Sequence, residues 1–78
     1  MGGEIAFHDF KRKFEHFGVN VSHGSKHVHL EKTIKGERVP YTVAVKQHKV
    51  DDLYVHKARR RFKLLPEDGV SDEDFNRA

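Results

Sequence analysis

The residues best suited to chemistry in this 78-residue chain lie in Gly24-Ser25-Lys26-His27-Val28-His29-Leu30. Gly24 and Ser25 have turn composition, and the positions after them alternate as in a half-buried strand. Strand side chains point alternately to two faces, so His27 and His29 share one while Val28 and Leu30 take the other. With Val28 and Leu30 turned to a core, two imidazoles stand on an open sheet surface in a chain of net charge +3. Histidine exchanges a proton near neutral pH and serves equally as general acid or general base. RNA carries its own nucleophile, the 2′-hydroxyl. Cleavage therefore asks for a base near that hydroxyl, an acid near the leaving oxygen, and cations around the phosphate. His27 is the leading candidate for proton transfer. His48 follows a third strand in phase with Ala44 and Lys46 and is expected to approach the same face, while Lys26 and Lys46 are placed to neutralise phosphate charge.

The chain has seven histidines, which raises the question of a metal. His23, His27 and His29 are close in sequence, but His23 stands across a turn from the other two. No carboxylate or cysteine completes a ligand set, so neither metal nor cofactor is expected. His8, His16 and His56 read as ordinary surface residues of helices.

These residues need elements to hold them. Phe7, Phe10, Phe14 and Phe17 recur at spacings of three and four, which predicts an amphipathic helix over residues 5–17, ended by Gly18. The Phe stripe reads as a core face. Residues 19–22 read as a short strand, residues 23–26 as a turn, and residues 27–32 as the returning strand. Lys35-Gly36-Glu37 marks a second turn, and residues 41–47 a third strand with Val43 and Val45 on one face. Pro40 belongs at that strand's start or on an edge. Asp51 or Asp52 can cap a second helix reaching about residue 65, with Leu53, Ala58, Phe62 and Leu65 inward. Pro66 and Gly69 break it, and Ser71 with Asp74 resembles a cap for a last helical turn holding Phe75. The expected class is α+β, ordered α-β-β-β-α, with both helices on one face of a three-stranded antiparallel sheet.

Composition narrows the setting. The length suits a single domain spanning residues 1–78 with one modest core. There are no cysteines, so disulfides and thiolate metal sites are excluded. No apolar run matches a membrane span or a signal peptide, and a cytoplasmic protein without membrane contact is expected. The sequence holds 15 Lys and Arg against 12 Asp and Glu, with the acids crowded into residues 67–74 and a basic run at residues 57–63. A basic body with an acidic tail fits a polyanion partner. Lys57, Arg59, Arg60, Arg61 and Lys63 do not share one helix face, so only a subset, represented by Arg60, can meet a phosphate backbone.

The ordered motifs resemble the HicA toxins, small mRNA interferases of toxin–antitoxin pairs. The matching residues are Phe10, Phe14, Gly18, Val19 and Val21; then Gly24, Ser25 and His27 in Gly-Ser-x-His, and Leu30. His48 follows before the second helix, and the closing segment matches through Phe62, Leu65, Gly69, Val70, Ser71, Asp72, Glu73, Asp74 and Phe75. Two departures stand out: a long connection over residues 31–40, and Val45-Lys46-Gln47 where the family usually has a proline. The resemblance implies a double-stranded-RNA-binding-like fold and one essential histidine, here His27. It also implies metal-independent RNA cleavage and a HicB-type antitoxin covering the active face. The expected function is thus an RNA endonuclease toxin acting on mRNA. In it His27 is the general acid or base, His29 and His48 are assistants, and Gly24, Ser25, Lys26, Lys46 and Arg60 meet the phosphates. A non-catalytic RNA-binding module of the same fold is the alternative, and a protein-interaction domain is a third reading.

Overall fold

The computed structural model describes residues 3–24 and 26–78. It begins with a short strand, β1 (Glu4–Ala6), which feeds directly into α1 (Phe7–His16). Three strands follow, β2 (Asn20–His23), β3 (His27–Ile34) and β4 (Glu37–Ala44), then β5 (Lys49–Asp51). The chain closes with α2 (Asp52–Arg61), a 3₁₀ turn at Pro66–Asp68 and α3 (Asp72–Arg77). β2, β3 and β4 make a three-stranded antiparallel sheet in that order, and β1 pairs with β5 in a separate antiparallel pair.

The α+β class and the three-stranded sheet match the sequence-based expectation, but several boundaries move for physical reasons. The stripe's first residue, Phe7, opens α1, because Ile5 and its neighbours pair with β5 instead. The β3–β4 arms are longer than expected. Lys35 and Gly36 take positive φ values of 53° and 80°, the signature of a two-residue type I′ turn, whose twist suits a tight hairpin. The connection over residues 31–40 is therefore not a loop but two paired arms, Ile34 opposite Glu37 and Glu31 opposite Pro40. β4 is an edge strand, which tolerates Pro40's missing N–H.

The core lies between the sheet and the helices. Phe10 and Phe14 of α1, Val28 and Leu30 of β3, Val43 of β4, and Ala58 and Phe62 of α2 are buried together. The expected inward set of α2 needs two corrections. Leu53 is 56% exposed, because it lies in the first turn, ahead of the face formed by Val55, Ala58 and Phe62. Leu64, not Leu65, is buried: the helix stops at Arg61, and Lys63 takes a φ of 56°, which rotates the chain one position. Asp51 accepts from the Leu53 amide at 2.8 Å, and Ser71 Oγ from the Asp74 amide at 3.0 Å, so both expected caps form.

Arg59 is buried inside this packing. Its Nε donates to the Leu64 carbonyl at 2.9 Å, Nη1 to Asp72 Oδ1 at 2.9 Å and Nη2 to the Val70 carbonyl at 3.3 Å, with the guanidinium 4.5 Å above the Phe75 ring. One side chain thus ties α2 to the closing segment. At the far end of α3, Lys13 Nζ donates to the Asn76 carbonyl and Arg12 Nε to the Ala78 carbonyl at 3.3 Å.

Candidate functional site

Register decides which side chains meet on the open face. His29 stands opposite Ser22 on β2 and Thr42 on β4, and His27 opposite Ala44. Directly paired residues share a face, so His27, His29, Ser22, Thr42 and Ala44 all point away from the buried Val28 and Leu30; all five are exposed. A shallow concavity of ≈ 530 Å³ lies over this face, lined in part by Asn20, Ser22, His29, Glu31, Arg38 and Thr42. An Arg38–Glu31 ion pair closes its far side.

The two histidines sit in unlike surroundings. His29 Nδ1 lies 3.3 Å from Thr42 Oγ1, where either atom can donate according to the tautomer. A methyl group built on Gly24 would lie 3.6 Å from His29 Nε2 and 3.1 Å from the His27 carbonyl. The lack of a side chain at Gly24 thus suits its close approach to the His27 carbonyl, to which its amide donates at 2.8 Å, and the His29 ring lies next to it. The Gly24 turn, expected to present His27, also frames His29. His27 is exposed, and its ring has no hydrogen-bond partner among the described residues.

Lys26 and Lys46, the expected cations, lie on segments that meet at His27's end of the sheet. The Lys26 carbonyl accepts from the Val45 amide at 3.2 Å, which brings the β2–β3 turn against the residues leading to Lys46. Lys26 and Lys46 are exposed. Ser25, expected to meet phosphate, lies outside the described residues.

His48 is placed differently from the expectation. The alternation that put it in phase with Ala44 and Lys46 ends with β4 at Ala44. Gln47 and His48 take φ values of 54° and 62° and form a second tight turn, with Lys46 and Lys49 bridged across it. The His48 carbonyl accepts from the Phe7 amide at 2.7 Å, anchoring this turn to the start of α1. Strand parity therefore does not carry His48 onto the open face.

His23 pairs with Val28 and lies on the helix side of the sheet, its ring 4.7 Å from that of Phe7. The sheet separates it from His27 and His29, and among the described residues no group of three or more His, Asp or Glu converges on a point. His8, His16 and His56 are exposed on helices. Arg60 is not with the histidines. It is exposed on α2 beside Tyr41, Lys57 and Arg61.

Thr42 and Ser22 were not singled out from the sequence. A two-residue turn at Lys35-Gly36 fixes the β3–β4 register and puts Thr42 opposite His29. Taking the third strand to start at residue 41, rather than directly after that turn, hid the pair. Among the described residues no helix is long and apolar enough to cross a membrane. Compared with protein-family models, curated proteins and solved structures, the chain matches none.

Proposed function

We propose that this chain is a HicA-like mRNA interferase, a metal-independent RNA endonuclease toxin of a toxin–antitoxin pair that acts in the cytoplasm. The observation that carries the reading is the open, helix-backed sheet face on which His27 and His29 project side by side, with Lys26 and Lys46 at the His27 end. Residues two apart on a strand lie about 6.6 Å apart along it, a separation that suits groups serving opposite sides of one phosphate. The order of helices and strands is compatible with a double-stranded-RNA-binding-like fold.

In this reading one imidazole takes the proton of the 2′-hydroxyl as that oxygen attacks phosphorus. The bond from phosphorus to the 5′-oxygen breaks, and the leaving oxygen receives a proton from a protonated group. His27, exposed on the open face, is the essential proton-transfer residue. His29, oriented by Thr42, is its partner, and Lys26 and Lys46 stabilise charge on the phosphoryl oxygens. A HicB-type antitoxin covers this face and blocks access. Because His27's ring has no hydrogen-bond partner among the described residues, the face also fits a non-catalytic RNA-binding module.

The test compares an RNA oligonucleotide with the same sequence carrying one 2′-deoxyribose at the cleaved position. The reading expects cleavage of the first, in the presence of a chelator, and none of the second. Binding of both without cleavage of either would favour the binding module.

A further inference from the structure

α2 has two unlike sides. Val55, Ala58, Arg59 and Phe62 turn inward, and Arg59 is wholly engaged by Leu64, Val70 and Asp72. On the opposite ridge Tyr54, Lys57, Arg60 and Arg61 are exposed. Tyr54, Lys57 and Arg61 follow at i, i+3 and i+7, which stacks them into one ridge about 10 Å long. Among the described residues, Lys57, Arg60 and Arg61 form no ion pair with a carboxylate. Arg61 Nε donates to the Pro40 carbonyl at 3.3 Å, which holds that guanidinium along the β4 edge.

The ridge joins the histidine face at its Tyr54 end. Tyr54 shares a concavity of ≈ 260 Å³ with Ala44 and Lys46, and Ala44 is the cross-strand neighbour of His27. The carboxylates there are already committed: Glu4 pairs with Lys49 at 3.4 Å, and Asp51 caps α2. Farther along, Lys57, Arg60 and Arg61 surround a second concavity of ≈ 400 Å³ with Tyr41. An exposed aromatic ring followed by uncompensated cations fits a strand whose bases are free to stack and whose phosphates repeat along it.

We propose that the outer ridge of α2 is a track for single-stranded RNA: a nucleobase stacks on Tyr54, and the neighbouring phosphates are held by Lys46, Lys57, Arg60 and Arg61. This rests on the RNA reading of the histidine face and names the form of substrate that reaches it. A duplex, whose bases are already stacked, gains nothing from Tyr54. An acidic protein segment needs no ring.

The chain has two tyrosines and no tryptophan, so Tyr41→Phe leaves Tyr54 as the sole tyrosine, excited selectively at wavelengths that phenylalanine does not absorb. Titrating that variant with an uncleavable 2′-O-methyl oligouridylate of eight nucleotides is expected to quench the emission by half or more. Anisotropy of the labelled oligonucleotide follows binding independently. The Lys57→Ala/Arg60→Ala/Arg61→Ala variant is expected to bind at least tenfold more weakly. Its salt dependence falls by about 2 in log–log slope, as three lost single-strand phosphate contacts of about 0.7 each imply. Unquenched emission with the oligonucleotide bound, or parental affinity in the triple variant, would overturn the track. So would failure of the parent to bind the oligonucleotide while it binds polyglutamate. Quenching and ridge-dependent binding with unmodified RNA left intact would keep the track and remove the nuclease.

Discussion

At the scale of single residues, the open face separates two histidines that look equivalent on paper. His29's ring bonds to Thr42 and lies next to Gly24, whereas among the described residues His27's ring has no hydrogen-bond partner. Thr42→Val removes His29's partner with little change of volume. If His29 is the second proton-transfer group, RNA cleavage falls about fivefold, the effect of one neutral hydrogen bond of about 1 kcal/mol, while the melting temperature stays put. Gly24→Ala crowds the His27 carbonyl at 3.1 Å and brings a methyl into van der Waals contact with the His29 ring. The imidazole proton resonances of His29 should shift in that variant, whereas those of His56, on α2, should not. The pairing of His27 and His29 on one face was legible from parity alone. The Thr42 contact was not, because it depends on a turn whose left-handed residue, Lys35, is not a type that favours positive φ.

At the scale of elements, the Phe stripe, the glycine after α1 and the two caps were all readable, since each rests on interactions within a few residues. Cap truncation has a size expected of such local bonds: Asp51→Ala or Ser71→Ala should each cost about 1 kcal/mol in denaturant unfolding. The β1–β5 pair was not readable. Glu4 and Asp51 are brought opposite each other only by the tertiary fold, and a strand of three residues leaves almost no periodicity to detect. The inward Leu64 was missed for a related reason: a helix was extrapolated through Lys63, where the backbone turns left-handed. His48 shows the same limit, because a strand's alternation predicts nothing past the strand's end.

At the scale of the whole molecule, cations divide by what they do. Arg59 is internal and holds the closing segment to α2, so Arg59→Ala exposes two carbonyls to unmet demand and strips packing from Phe75. A loss of about 3 kcal/mol is expected in urea unfolding, with Arg59→Lys recovering only part of it because lysine lacks the planar fork. The core has little to spare in a chain this short. Phe14, fully buried against Phe10 and Phe75, should cost about 3–5 kcal/mol when cut to alanine. The sequence already divided the basic run at residues 57–63 between helix faces, and the fold makes the division one between an internal strut, Arg59, and an outer ridge. The central claim is that the helix-backed sheet presents His27 to RNA as a proton-transfer group, and single-turnover cleavage by His27→Ala tests it most directly. The rate should fall by at least about a hundredfold, with RNA affinity and melting temperature held at wild-type values. A variant that binds, stays folded and cleaves at the wild-type rate would contradict it.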